Sequence, residues 1–577
     1  SRQRSERTMK DRLAGEINRI QTEDGHPFIL RDPNKCILCG LCVRVCDEVM
    51  GVGALGLVRR GFDTVVKPAL EGSLTSAGCI SCGQCVSVCP TGALGERLSL
   101  PKSVPLKTQA VETTCSFCAL GCSMKLETGA GLLVRATPDQ KGPVNQGLLC
   151  ARGRFGFDCA QLEGRLTAPL VRRNGQLEET DYHEAAVRTA KGLEAAAFRH
   201  GREAVAVAVS PRLTNEEAFA VKTLADSIGA RLLSFDHREN GLARVLGKDR
   251  SPNTIDELLS TEVILTVGFN AWGSVLRAKL KQAAENGARI VAIAPQGMEQ
   301  KAPFLYQTIE VSNDLSFLKE LAKALLDQGR RVAAEGFDAF AESLAEVVPG
   351  PEARELAALY AGARKAMLLF QQNVLSVEAA ALLGELAALS GHLGAPRDGI
   401  LVLKARSNSQ GLSDLGIQAG GEAMEGVKAL LSFGENPAPQ YLEGLEFLAV
   451  CDTHCSDAAQ KADVVLPGTG FACALGTYTN TEGRVQAVRP GAEAPVPVTN
   501  WQVAAMLGEV CEAAPPWRNE EELAAALREK CPAFRASTPE TCACGPLRFA
   551  AVPERAPLAD PLPSADYLMK QMDSRLA

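Results

Sequence analysis

The sequence predicts an α/β protein with a cysteine-rich head and a large body of parallel sheets. Three observations carry that expectation. Twelve of the 20 cysteines lie before residue 151, in runs of four. After residue 170, short apolar β-rich runs alternate with amphipathic stretches of helical period. At 577 residues, 46% hydrophobic and 22% charged, the chain has enough apolar mass for several buried cores.

The formal charge of -7 is spread without long runs of one sign, so there is no basic face for a phosphate backbone, and nucleic acid is excluded as a partner. No stretch approaches eighteen consecutive apolar residues, and Ser1 to Lys10 is polar and basic without an apolar h-region. The reading is a cytoplasmic protein with no membrane span. In a large chain without a secretion signal, crowded cysteines read as reduced thiolates that hold metal.

The segment Cys36-Ile-Leu-Cys39-Gly-Leu-Cys42-Val-Arg-Val-Cys46 has the spacing C-x2-C-x2-C-x3-C, and Cys79-Ile-Ser-Cys82-Gly-Gln-Cys85-Val-Ser-Val-Cys89-Pro90 repeats it. This is the run of bacterial two-cluster ferredoxins, in which three close thiolates grip one 4Fe-4S cubane and the fourth reaches the other. That rule assigns one cluster to Cys36, Cys39, Cys42 and Cys89, and a second to Cys79, Cys82, Cys85 and Cys46. Gly40 and Gly83 suit loops whose backbone N–H groups must approach the sulfides. Pro90 ends the second run, whereas the first continues into Asp47-Glu48. A pair of zinc knuckles is the competing reading, and the repeated eight-cysteine pattern disfavours it. The linker from Val52 to Val66 resembles that of iron-only hydrogenases and NAD(P)-linked formate dehydrogenases. Over residues 30 to 97 this resemblance implies a domain that relays electrons between a distant flavin subunit and a catalytic centre.

Cys115-Ser-Phe-Cys118-Ala-Leu-Gly-Cys122, closed by Cys150, gives C-x2-C-x3-C-x27-C. This spacing resembles the opening of the molybdopterin oxidoreductase superfamily, with most similarity to the large iron-sulfur subunit of respiratory complex I and the formate dehydrogenase alpha subunit. The resemblance implies a third 4Fe-4S cluster on Cys115, Cys118, Cys122 and Cys150. Active pterin enzymes of the formate dehydrogenase type usually carry Lys two residues after the closing cysteine, where this chain has Arg152. The implied role of Arg152 is a cation beside the cluster; the alternative is a surface arginine paired with a carboxylate.

In the body, apolar runs predict strands at Ala204 to Val209, Arg231 to Phe235, Val263 to Phe269, Arg289 to Ala294, Met367 to Phe370, Ile400 to Leu403, Ala429 to Phe433 and Phe447 to Cys451. Amphipathic helices such as Asn215 to Ile228 separate them. Two doubly wound domains interleaved along the chain fit this order. Val267-Gly-Phe-Asn270, Asn408-Ser-Gln-Gly411, Gly434-Glu-Asn-Pro437, Ala462 to Pro467 and Gly476-Thr-Tyr-Thr-Asn480 resemble the pterin-binding loops of the superfamily. Each alone is ordinary turn chemistry, and their order is what informs.

Three departures from the family pattern bear on function. Where formate dehydrogenases place a Cys or selenocysteine ligand followed by His, Phe235 to Gly241 offers no thiolate. Asp236 is the oxygen ligand that could stand in, with His237 or Arg238 assisting. Ile293-Ala-Pro295-Gln-Gly stands where the family commonly has an Asp-Pro-Arg-Arg loop. A short Pro- and Ala-rich tail follows Glu512, where such enzymes have a β-rich closing domain.

The expected fold is therefore α/β: an N-terminal bacterial-type 2x(4Fe-4S) ferredoxin domain, then a molybdopterin-oxidoreductase-like multidomain α/β body with doubly wound parallel sheets, truncated at the C-terminal β domain. The expected boundaries are an N-terminal extension over 1–30, the two-cluster domain over 31–103, the third-cluster domain over 104–170, the α/β body over 171–512 and a tail over 513–577. Three 4Fe-4S clusters are expected, and molybdopterin guanine dinucleotide is not. HExxH, GxSxG, P-loop and Gly-rich dinucleotide motifs are absent, so NAD(P), flavin and ATP belong to other chains. No catalytic residue is assigned.

The resemblance implies an electron-relay subunit of a cytoplasmic NAD(P)H-linked, even electron-bifurcating, oxidoreductase complex. Its hetero-oligomeric partners would be a flavin- and NAD(P)-binding subunit, further iron-sulfur subunits and ferredoxin. The alternative is a catalytic molybdenum or tungsten formate dehydrogenase-like subunit. The remaining cysteines, Cys159, Cys451, Cys455, Cys473, Cys511, Cys531, Cys542 and Cys544, read as inert thiols. Their competing reading is extra metal sites at Cys451/His454/Cys455 and in the tail.

Overall fold

Loops that carry eight cysteines in short runs have little apolar material of their own, and two small antiparallel strand pairs accompany them. In the computed structural model the described residues are 20, 25–68, 72–97, 107–161, 163–237, 239, 241–298, 300, 302–513, 515–535 and 546–554. The N-terminal extension expected over 1–30 lies outside them except for residues 20 and 25–30. Residues 1–99 form one unit and residues 100–577 a second.

The first unit has strands β1 (Ile29–Arg31), β2 (Leu55–Val58), β3 (Val65–Pro68) and β4 (Leu94–Glu96) and short helices α1 (Leu41–Arg44) and α2 (Gln84–Val88). β1 pairs antiparallel with β4, and β2 with β3. Ile29, Met50, Leu55 and Leu94 are buried between them. The proline difference between the two cysteine runs has a structural result. Cys89, which precedes Pro90, is extended (φ -76°, ψ 113°) and ends α2, because the proline ring disfavours the helical region for its neighbour. The first run continues as a π-helical turn over Val45–Val49 that carries Cys46.

The second unit opens with an antiparallel sheet of β5 (Gln109–Thr114), β6 (Ser123–Gly129) and β7 (Leu132–Pro138), followed by helix α3 (Ala151–Phe155). Beyond it the chain lays down β8 (Leu170–Arg173), β9 (Gln176–Glu179), β10 (Val205–Val209) and β11 (Arg231–Ser234), with helix α4 (Asn215–Ile228) between the last two. It then departs to build β12 (Val263–Val267), β13 (Arg289–Pro295), β14 (Gln307–Val311), β15 (Ala366–Gln371) and β16 (Gly399–Leu403). It returns for β17 (Gln418–Ala419), β18 (Ala429–Phe433), β19 (Phe447–Asp452) and β20 (Val464–Pro467), and a hairpin of β21 (Gly476–Thr479) and β22 (Val485–Val488) follows.

Two sheets result. The larger has the order β17-β11-β10-β18-β19-β20-β8-β9, with the β8–β9 hairpin antiparallel at one edge. The smaller, β14-β13-β12-β15-β16, is parallel throughout. This is the interleaved, doubly wound arrangement that the sequence predicts. β10, β12, β16 and β18 are buried at every residue, as parallel strands covered on both faces must be. A capping box, Thr214 with Glu217, starts α4 and contributes about 1 kcal/mol. The strand order reverses between β10 and β18 and between β12 and β15, and the carboxyl ends there are where such sheets take ligands.

The segment after Glu512 holds more structure than its composition suggests. Helix α5 (Glu520–Lys530) buries Leu523 and Leu527 in the core of the larger sheet, with Trp501 and Trp517. Residues 546–554 lie against the smaller sheet's helices. Phe549 packs on Phe337 and Phe340, with ring centroids 5.5 and 5.1 Å apart, and its N–H donates to the Glu335 carbonyl at 2.8 Å. Among the described residues no helix is long and apolar enough to cross a membrane.

Candidate metal centres

In the first unit the eight cysteines sort around two cavities. Cys36, Cys39, Cys42 and Cys89 line one, which opens to solvent. Cys46, Cys79, Cys82 and Cys85 line the other. Each cavity thus takes three thiols from one run and the fourth from the other. The loops repeat each other in backbone as well as sequence. Leu38 and Ser81 both adopt φ 56°, and Gly40 and Gly83 adopt φ 73° and 67°. Such alternation turns successive N–H groups toward one point, a concavity suited to anionic sulfur. The Leu38 N–H donates to Cys36 Sγ, the Ser81 N–H to Cys79 Sγ and the Leu94 N–H to Cys89 Sγ, each at 3.4 Å.

Burial pushes the Cys42 thiol up to about 11, and that of Cys85 well above its ordinary value; neighbouring thiols add to both shifts. Groups so placed ionise when a cation arrives to share them, so metal binding releases protons here. Among the described residues no three His, Cys, Asp or Glu side chains converge closely enough for a single ion. Zinc needs four ligands about 2.3 Å from one centre, whereas a cubane spreads its thiolates around a larger body. The residues present fit a 4Fe-4S cluster in each cavity.

The third set lies in the second unit. The loop between β5 and β6 carries Cys115, Cys118 and Cys122 and is closed by a 2.8 Å bond from the Cys115 N–H to the Cys122 carbonyl. Cys150 caps α3. Burial raises the thiols of Cys115 and Cys122 well above the ordinary range and that of Cys118 to about 11; Cys150 adds to the repulsion at all three. Four mutually repelling thiols on one loop and one helix start fit a cluster that takes them as thiolates.

The β21–β22 hairpin holds this loop. Thr481 N–H donates to the Ala119 carbonyl (2.7 Å), Asn480 Nδ2 to the Leu120 carbonyl (2.9 Å) and Gln486 Nε2 to the Gly121 carbonyl (2.7 Å). Gly121 has φ 73°, and a Cβ there would fall 2.0 Å from Gln486 Oε1.

Three guanidinium groups act on this site. Arg152, the cation expected from sequence, lowers the Cys118 thiol against the effect of burial, and so does Arg406; Arg212 does the same for Cys115. Arg212 follows β10 at the sheet's switch point, and its Nη1 donates to the Ser116 carbonyl at 3.4 Å. Sequence reading missed Arg212 and Arg406. Their signal was position alone, at strand ends beside motifs already singled out. It also missed His26, whose Nδ1 accepts from Phe28 and Ile29 N–H (3.1 and 3.0 Å) and whose Nε2 lies 3.2 Å from Ser81 Oγ. Two donors on Nδ1 leave the ring proton on Nε2.

Asp236, the oxygen ligand considered for a heavy metal, is buried in an ion pair. Its Oδ2 accepts from Arg406 Nε at 3.0 Å, and its backbone N–H donates to Glu435. Glu435 also takes the Phe235 N–H and the Ser234 hydroxyl, and burial pushes it up to about 8. Several buried polar atoms lack a hydrogen-bond partner: His237 Nδ1 after β11, Thr266 Oγ1 in β12, Asn373 Oδ1 after β15, Thr469 Oγ1 after β20 and Gln410 Oε1 in the short helix Ser409–Asp414. They fit a polar cofactor of the pterin class along the carboxyl edges. A carboxylate already committed to Arg406 does not fit a ligand to its metal.

The other thiols remain apart. Cys451 is buried in β19 near Asn500, His454 bonds to Thr453, and the Cys455 N–H donates to the Gly164 carbonyl. Cys159 is buried. Cys542 and Cys544 lie outside the described residues.

A three-strand opening layer, two interleaved and mainly parallel sheets and twelve grouped cysteines define an iron-sulfur protein on an oxidoreductase scaffold. The chain belongs to the molybdopterin oxidoreductase family, whose model matches residues 165–510; the family's Fe4S4 domain matches residues 108–161, and the ferredoxin-like domain of NADH-quinone oxidoreductase subunit 3 matches residues 26–95. It is 28% identical to the NADPH-Fe(3+) oxidoreductase subunit alpha of Geobacter sulfurreducens, over 81% of this chain and 64% of that one. It is 26% identical to the F420-dependent formate dehydrogenase 2 subunit alpha of Methanococcus maripaludis, over 70% of each chain. The fold matches that of acetylene hydratase from Pelobacter acetylenicus with a TM-score of 0.57 at 14% identity, covering 80% of this chain and 78% of that one.

Proposed function

We propose that this chain is the iron-sulfur electron-relay subunit of an NAD(P)H-linked oxidoreductase complex, cytoplasmic and with bifurcating forms in view. It would pass electrons between a flavin- and NAD(P)-binding subunit and ferredoxin or another reductase module. The observation that supports this best is the sorting of eight cysteines around two cavities, each completed by a thiol from the other run. Bound 4Fe-4S clusters supply one-electron carriers at potentials that the protein sets. The chain's own residues do the rest. Cys36, Cys39, Cys42 and Cys89 would hold the first cluster, Cys79, Cys82, Cys85 and Cys46 the second, and Cys115, Cys118, Cys122 and Cys150 the third.

Backbone N–H groups of the loops stabilise the sulfur charge, and Arg152 and Arg212 supply fixed positive charge at the third set. The family likeness supports a second reading, a catalytic molybdenum or tungsten subunit; the orphaned polar atoms favour a bound pterin, and the commitment of Asp236 to Arg406 disfavours its metal. Anaerobic purification followed by redox-titrated EPR decides between these. Relay predicts three cubane signals that NAD(P)H reduces only when the flavoprotein partner is present. A molybdenum(V) or tungsten(V) signal that appears on adding formate contradicts it.

A further inference from the structure

A cation beside an iron-sulfur site is held there only if something offsets its burial. The Arg406 side chain is 12% exposed and that of Asp236 is 1% exposed. An unpaired charge in such a place is strongly unfavourable, and the 3.0 Å contact to Asp236 Oδ2 supplies the offset, with a second approach to Oδ1 at 3.5 Å.

The placement of Arg406 is tied to that of the third cysteine loop. Thr481 donates its N–H to Ala119, next to Cys118, and its Oγ1 accepts from the Lys404 N–H at 3.2 Å. Asn480 bonds Leu120, while Thr479 donates its N–H to Asn408 Oδ1 at 2.9 Å. The Arg406 N–H donates to Ser409 Oγ at 3.0 Å. Residues 479–481 thus clamp the loop carrying Cys118 on one side and the turn carrying Arg406 on the other. The turn carrying Arg406 therefore keeps a fixed place relative to the loop carrying Cys118.

We propose that Arg406, locked by Asp236, is a positioning residue that sets the potential of the cluster on Cys115, Cys118, Cys122 and Cys150, and that Asp236 serves this cation instead of a metal. The inference rests on the proposed assignment of those four cysteines. Reduction adds an electron to a site that is already anionic, so a fixed positive charge stabilises the reduced form and raises the potential.

The test is an EPR redox titration of the full chain, with the third signal identified by its loss in Cys118→Ser. Arg406→Gln is expected to move that signal to lower potential and leave the other two where they were, with Arg406→Lys restoring most of the shift. The double variant Asp236→Asn/Arg406→Gln leaves no orphaned anion, and a smaller shift in the same direction is expected from it. No shift in either variant, or loss of the third signal from both, overturns the inference. Absence of a signal that Cys118→Ser removes, already in the unaltered chain, overturns the cysteine assignment itself.

Discussion

Leu38 and Ser81 hold the left-handed backbone that L-residues avoid, at roughly 1–2 kcal/mol each. They occupy equivalent places in the two cysteine loops, and each donates its N–H to the sulfur two residues back. Strain recurring at matched positions marks a site shaped for a ligand. The exchange of the fourth cysteine makes a residue-scale prediction. Cys89→Ser should cost the cluster of the first loop, and Cys46→Ser that of the second, each variant losing about four irons of twelve. Selective loss in the opposite sense, read by EPR, would contradict the pairing. Gly121 gives another. With φ 73° and Gln486 and Asn480 against it, Gly121→Ala should lower stability by about 1–3 kcal/mol and release the third cluster's iron faster on mild heating.

At the scale of elements, the strands were legible because fully buried parallel strands read as unbroken apolar runs. Val205–Val209 and Ile400–Leu403 are such runs. α4 was legible from its apolar stripe, and the structure adds the Thr214 cap. The grouped cysteines stood out as candidate ligands because ligand spacing is local. Arg406 and Arg212 were not, since only the return of the chain after β16 and the strand end after β10 bring them to the third loop. Phe549 likewise carries no periodicity, and its partners Phe337 and Phe340 lie over 200 residues away.

That docked segment has its own pH signature. The Ala550 N–H donates to Glu385 at 3.0 Å, and burial pushes this carboxyl up to about 8 from its ordinary 4.5. The folded state therefore keeps a proton that the unfolded chain loses, so its stabilisation is whole below about pH 4.5. It falls by about 1.4 kcal/mol per pH unit from there to about pH 8. Glu217 and Glu435, raised to about 7 and 8, act in the same direction. Glu385→Gln should narrow, without closing, the gap in melting temperature between pH 5 and pH 8. An unchanged gap would show that Glu385 ionises in the fold.

For the whole molecule, the family scaffold and the three cysteine sets imply different things, since one suggests a substrate-transforming centre and the other electron passage. The chain spans 64% of the length of the first relative it matches, so that relative's activity does not transfer by length alone. What this chain shows is a buried Asp236–Arg406 pair and a Glu435 carboxyl pushed up in the neighbourhood where a heavy-metal ligand was sought. The most direct test is metal and acid-labile sulfide analysis of the anaerobically purified complex. The account predicts about twelve irons and as many sulfides per chain, with neither molybdenum nor tungsten. Iron well below that number, or one heavy-metal atom per chain, would contradict it.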